Sequence, residues 1–308
     1  MNILEAHHLQ KTYRDRQKTV TAVQDVSLTL APQEVLAFLG PNGAGKTTTI
    51  KMIAGLILPD QGTVKIVGRD PHREARALRS LGAVLEGNRN VYWRLTPEEN
   101  LEYFGVLRGL TRKMARQRAQ ILLERFDLID KRRSQVQKLS RGMQQKLAIA
   151  VSLIHDPQLL LLDEPTLGLD VEATASVKRL VREIAAEGRA ILLTTHQLDI
   201  AEELSDRVAI INQGKIVVEE STADLIRQFS GTAYKIEVEG LSGDRVSKIA
   251  ALGGIIEGNQ IYVRESDMVY AVLEILQPLP LVRAEKDQAN LTEIFLKLVS
   301  NTQSDATH

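Results

Sequence analysis

The chain has no cysteine in its 308 residues. That absence excludes a disulfide framework, a thiol nucleophile and a cysteine-ligated metal. Long hydrophobic runs are missing too. The longest nearly apolar stretch, Leu147–Ile154, falls well short of the ~18–20 residues that cross a bilayer. Met1–Gln10 carries Glu5 and two histidines where a secretory leader would need an apolar segment. The expected location is therefore cytosolic. Charge of one sign is lacking as well, because 39 Lys+Arg balance 39 Asp+Glu. Nothing global calls for nucleic acid or an anionic surface as partner. No sustained heptad, internal repeat or low-complexity tract occurs. What remains, 44% hydrophobic and 25% charged residues, is the balance of an ordinary globular chain. At roughly 150 residues per domain the length accommodates two.

The neutral total hides an asymmetry. From Phe229 onward there are 7 Lys+Arg against 11 Asp+Glu, which leaves 32 against 28 before it. Val106–Lys146 alone holds 12 basic and 3 acidic residues; a solvated face is the plainer reading, and a face that attracts anionic lipid headgroups is the other. The first 220 or so residues alternate strand and helix signals, the pattern of a largely parallel α/β sheet. Ala22–Leu30 alternates as a half-buried strand. Val35–Leu39 and Leu159–Leu162 are continuous apolar runs of central strands, and Ala190–Thr194 and Val208–Ile211 add two more. Asn212-Gln213-Gly214 reads as a hairpin turn into Lys215–Val218. Between Glu86 and Asp156 the pattern is helical, opening at Thr96-Pro97-Glu98-Glu99 with the makings of a capping box. Past Gln228–Thr232 a β-α-β-β-α-β order plus a last helix predicts a small ferredoxin-like α+β unit. The expected domains are thus residues 1–228, with a helical insertion over about 87–156, and residues 229–308.

Two motifs carry chemistry. Gly40-Pro41-Asn42-Gly43-Ala44-Gly45-Lys46-Thr47 fits G-x-x-x-x-G-K-[ST] and lies between a strand and the helical stretch that begins at Thr48. Glycines let successive backbone N–H groups curl around phosphate oxygens, and the helix N-terminus adds about half a positive charge. Lys46 is placed to bridge the β- and γ-phosphates of ATP, and the Thr47 hydroxyl to ligate Mg²⁺. Leu159–Leu162 ends in Asp163-Glu164-Pro165. Neighbours on an extended chain point oppositely, so Asp163 is expected to hold Mg²⁺ and Glu164 to orient or deprotonate the attacking water. Ser140, in Leu139-Ser140-Arg141-Gly142-Met143, is a helix N-cap and a second potential anion site.

Together these residues resemble the ATP-binding subunit of an ABC transporter. Walker A is Gly40–Thr47, the signature Leu139–Met143, Walker B Leu159–Glu164, the D-loop Gly168-Leu169-Asp170, and His196 follows a strand. The motifs fall in the family's order over residues 3–228. The resemblance implies a P-loop cassette, a mixed sheet with a helical subdomain, acting as a dimer with ATP sandwiched head to tail. Ser140 and the Gly142 backbone would then face the partner's nucleotide. His196 would contact the γ-phosphate and hold the water with Glu164, and Tyr13 would stack on adenine. Two intact half-sites favour a homodimer. A separate multi-span permease is implied, with this chain peripheral on the cytoplasmic face of the plasma or inner membrane. The acidic C-terminal piece resembles that of subunits driving drug- or antibiotic-export-type permeases. A soluble ABC-type ATPase and an import subunit stay open as alternatives. Two departures stand out. Glu86 occupies the place of the family's loop glutamine and is a third candidate Mg²⁺ ligand. Arg141 and Met143 replace two residues of the usual L-S-G-G-Q.

Overall fold

A computed structural model describes residues 2–15, 18–85, 90–230, 234–263, 266–286 and 289–304. It divides into two compact units, the first reaching Thr222 and the second Ala223–Ser300.

The first unit opens with β1 (Leu4–Asp15), β2 (Lys18–Leu30), β3 (Val35–Leu39), α1 (Lys46–Ile53), β4 (Gln61–Ile66) and β5 (Leu81–Val84). The helical insertion follows as α2 (Pro97–Leu107), α3 (Arg112–Arg125) and α4 (Arg141–Leu153). The chain then returns through β6 (Leu159–Asp163), α5 (Val171–Ala186), β7 (Ala190–Thr194), α6 (Leu198–Leu204), β8 (Arg207–Asn212) and β9 (Lys215–Ser221). Nine strands form one sheet in the order β4-β1-β2-β9-β8-β3-β7-β6-β5. The apolar runs read from sequence are β3, β6 and β7, and every residue in them is buried. Alternate side chains feed opposite cores, as strand geometry requires. Leu160 and Leu162 pack with α4 and α5, whereas Leu159 and Leu161 pack with α1 and β1.

The sheet is mixed rather than largely parallel. β5-β6-β7-β3-β8 run parallel, but β1 pairs antiparallel with β2 and β4, and β8 with β9. The antiparallel part has weaker sequence signals because it is half exposed and broken by bulges. The strand expected from Ala22 begins earlier, at Lys18, with β1 as its hairpin partner.

The helix starts behave as their caps dictate. Thr96 accepts from the Glu99 N–H, Glu99 reaches back to the Thr96 N–H, and Pro97 takes the first turn. Thr111, Ser140 and Asp170 cap α3, α4 and α5. α4 is anchored at its far end by His155, whose Nε2 donates to the Leu81 carbonyl at 2.9 Å at the start of β5. Burial, reinforced by the nearby Arg108 and Arg118 guanidinium groups, pushes the His155 imidazole down to about 4. An unfolded histidine titrates near 6.5. The neutral ring therefore stabilises the fold fully above about pH 6.5, and that contribution is lost as pH falls towards 4. Between pH 7.5 and 5 the parent should lose about 2 kcal/mol more than His155→Gln, which keeps a donor and does not titrate. Urea unfolding of both proteins at the two pH values measures it, and equal losses would remove His155 as the cause.

The second unit holds most of α7 (Thr222–Phe229), then β10 (Tyr234–Val238), α8 (Asp244–Ala251), β11 (Ile255–Glu257), β12 (Gln260–Val263), α9 (Ser266–Leu276), β13 (Leu281–Lys286) and most of α10 (Leu291–Ser304). Its four strands form an antiparallel sheet in the order β11-β12-β10-β13. Ile236, Val238, Ile261 and Val263 pack with Ile249 of α8 and Val272 and Leu276 of α9 in a separate core. Gly258, at φ +64°, turns the β11–β12 hairpin.

Candidate phosphate-binding site

The loop between β3 and α1 needs its glycines. Gly43 and Gly45 sit at φ +80° and +111°. A Cβ on Gly45 would lie 2.4 Å from the Ala22 carbonyl oxygen, and one on Gly40 would lie 2.3 Å from that of Ile211. Unlike α2 to α5, α1 has no side-chain cap, and its first turn carries no acidic residue. Its first N–H groups and partial positive charge are thus available to an anion. The Lys46 ammonium donates to the carbonyls of Gly40 and Pro41, so it curls back over the loop. Thr49 bonds back to the Gly45 carbonyl through both its N–H and its hydroxyl.

This loop forms one wall of a cavity of about 450 Å³. Pro41, Asn42, Gly43, Gly45, Lys46, Thr47 and Thr48 line that wall, and Ala22, Asp163, Glu164, Leu167 and His196 line the rest. Asp163 ends β6, is 7% exposed, and accepts from the Thr194 hydroxyl on β7. Glu164 is not on the strand. Its N–H bonds the Thr194 carbonyl at 3.0 Å and its φ is +51°. Its carboxylate Oε1 lies 2.9 Å from His196 Nδ1, while Oε2 is buried with no protein hydrogen-bond partner. A carboxylate at the cavity wall with one oxygen held by an imidazole and the other unpartnered keeps lone pairs for a proton from water.

Not every candidate residue lines this cavity. Gly40 and Ala44 do not; Ala44 is buried behind the loop. Tyr13 lies on β1, 42% exposed, with the Lys11 ammonium 5.9 Å from its ring centre. Ser140 and Gly142 are at the start of α4, apart from the lining of this cavity. Ser140 accepts from the Met143 N–H at 3.2 Å and remains exposed. Gly142 meets α5: a Cβ there would lie 2.6 Å from that of Ala173. The Arg141 guanidinium lies over Gly168, 3.1 Å from where a Cβ would stand. Glu86 lies outside the described residues. One expectation is corrected. Asp163 and Glu164 line the same cavity instead of pointing to opposite sides, because the left-handed backbone at Glu164 breaks the strand alternation. Thr194, which anchors Asp163, and Ala22 were missed. The Thr194-Thr195-His196 run at a strand end was the available signal for the first, and a small residue in a strand gave none for the second.

The Gly142 contact yields a prediction. Gly142→Ala overpacks the α4–α5 contact and should destabilise by roughly 1–3 kcal/mol. Adding Ala173→Gly should restore most of it, as a thermal melt would read. Failure of the second change to help would mean that the space around Gly142 is not the cause.

A glycine-rich loop over an uncapped helix, with a buried aspartate and a histidine-held glutamate across the cavity, defines a P-loop ATPase cassette. The sequence pattern of the ABC transporter family matches residues 23–167. A Nod factor export ATP-binding protein I from Paraburkholderia xenovorans is 34% identical over 98% of this chain and 98% of its own. A daunorubicin resistance ATP-binding protein, DrrA3 of Streptomyces coeruleorubidus, is 38% identical over 80% of this chain and 72% of its own. A dimeric ATP-binding cassette solved in a post-hydrolysis state with ADP and phosphate superposes with a TM-score of 0.64 at 25% identity, covering 71% of this chain and 98% of that one. The chain belongs to the ABC transporter family, as one of its ATP-binding, ATP-hydrolysing subunits. Cassettes of this family pair, as that neighbour does. No described helix is long and apolar enough to cross a membrane.

Proposed function

We propose that this chain energises export of an amphipathic, antibiotic-like or lipid-like molecule through a separate multi-span permease. The observation that carries this reading is the end-to-end likeness to a Nod factor export protein, which extends through the C-terminal unit. The working form is a homodimer with ATP between the copies, peripheral on the cytoplasmic face of the membrane. Residues 1–228 are the ATP-binding domain and 229–308 a ferredoxin-like domain. The strand order β11-β12-β10-β13, with α8 and α9 packed against the sheet, supports the latter.

The cavity lining supports the roles of the loop, Glu164 and His196; those of Ser140, Gly142 and Tyr13 rest on the family resemblance. N–H groups from Gly43 to Thr48 hold phosphate oxygens, and Lys46 neutralises them. Glu164 takes the proton of the attacking water, and His196, which lines the same cavity, holds Glu164 through Nδ1. Ser140 and the Gly142 N–H complete the partner's site, and Tyr13 stacks on adenine. The donor set also fits Mg²⁺. Thr47 and Asp163 offer hard oxygens in one cavity. No cluster of three or more acidic or histidine groups that could hold an ion occurs among the described residues. Mg²⁺ usually binds one or two carboxylates plus substrate phosphates, the arrangement these residues allow. When bound, it neutralises charge on the transferring phosphoryl group. Glu86 is proposed as a further ligand.

Reconstitution with the permease into vesicles whose cytoplasmic face is outward tests the reading. ATP outside should drive accumulation of daunorubicin in the lumen, and Glu164→Gln should abolish it. ATP-driven loss from preloaded vesicles would overturn export in favour of import.

A further inference from the structure

The turn between β8 and β9 lies far in sequence from the phosphate loop, and nothing in the motif reading uses it. Asn212 pairs with Lys215, so Gln213 and Gly214 form a two-residue turn with φ of +48° and +81°. The Gly214 N–H donates to the Ala44 carbonyl at 2.9 Å. That bond fixes more than one oxygen. A trans peptide is planar, with its C=O and N–H antiparallel. An Ala44 carbonyl held toward the turn therefore aims the Gly45 N–H the other way. Gly45 lines the 450 Å³ cavity, and neither Gln213 nor Gly214 does.

The turn is itself held. Gln24 of β2 donates its backbone N–H to the Gly214 carbonyl at 2.8 Å, and its Nε2 to the Gln213 carbonyl at 2.9 Å. The space is tight. A Cβ on Gly214 would lie 3.1 Å from both the Ala22 oxygen and the Gln24 nitrogen. β2 and β9 pair at Asp25 and Lys215, so the turn is wedged where the two strands meet.

We propose that Gln24 and Gly214 are positioning residues for ATP capture: the β8–β9 turn, steadied by Gln24, sets the Ala44–Gly45 peptide plane so that the Gly45 N–H faces phosphate. This deepens the nucleotide reading above and rests on it. Neither residue lines the cavity. They act through one hydrogen bond to the loop.

The test uses the full chain and measures ATP affinity, kcat, KM and the melting temperature without nucleotide. Gly214→Ala pushes the turn off β2 and should raise the ATP Kd roughly tenfold, the effect of weakening one hydrogen bond to a charged group. Gln24→Glu replaces the donor by a carboxylate facing the Gln213 carbonyl and should raise Kd several-fold. Gln24→Lys restores a donor and should recover most of the affinity. In both weakened variants kcat at saturating ATP should stay within about twofold of the parent, so the change appears in KM. Parental Kd in both Gly214→Ala and Gln24→Glu overturns the proposal. So does loss of melting temperature with affinity unchanged, or a Gln24→Lys variant no better than Gln24→Glu. Lys46→Ala, run beside them, separates the two ideas: retained ATP binding there would sink the nucleotide reading itself.

Discussion

Glu164→Gln binds ATP as the parent does, hydrolyses it at least roughly a hundredfold more slowly, and accumulates as an ATP-dependent dimer. The magnitude is that of losing a positioned general base. Glu164 is poised for the role by three facts. Its backbone turns at φ +51°, which brings the carboxylate off the strand and into the cavity that Lys46 and Thr47 line. One oxygen is 2.9 Å from His196, and the other is buried without a protein partner. Glutamine keeps the shape and still pairs with His196, but it cannot accept a proton from water. Binding, which depends on the loop, is untouched, so the ATP-bound dimer cannot discharge. Phosphate release and size-exclusion chromatography with and without ATP measure the two halves of the expectation. Turnover near the parental rate would place the base elsewhere.

Lys46→Ala abolishes nucleotide capture, with ATP affinity down by a hundredfold or more. Its ammonium is held to the loop by the carbonyls of Gly40 and Pro41, next to the uncapped start of α1. An interaction of a cation with a polyphosphate in a partly enclosed site is a charge-assisted contact, about twice as strong as a neutral one. Alanine at this helical position is compatible with α1, because it is the best helix former. The fold should therefore survive, and calorimetric titration with ATP should show no heat while the melting temperature stays near the parental value. Retained binding would overturn the reading of this loop as the nucleotide site.

Much of this architecture could be read directly. The central strands announced themselves because strands buried on both faces must be continuously apolar, and β3, β6 and β7 are. The start of α2 was legible because its cap is a local exchange among Thr96, Pro97 and Glu99. In the second unit, the β-α-β-β-α-β order with a last helix matches β10, α8, β11, β12, α9, β13 and α10. β1 and β4 were not read, because half-exposed, bulged strands carry a weak alternation signal. The site was legible as motifs and opaque as geometry. The left-handed turn at Glu164 contradicts the alternation that the sequence implies.

By itself, then, the sequence determined which groups are available: a phosphate loop after a buried strand, two carboxylates at the end of another, a serine that caps a helix. Those depend on neighbours within a few positions, where backbone sterics and side-chain periodicity decide. Only the tertiary structure decided which of them share a cavity. Glu164 meets His196 because β6 and β7 pair in parallel, and Gly214 reaches Ala44 because β8 lies beside β3. Such register is fixed by packing both faces of the sheet at once, a condition that no local stretch of chain contains.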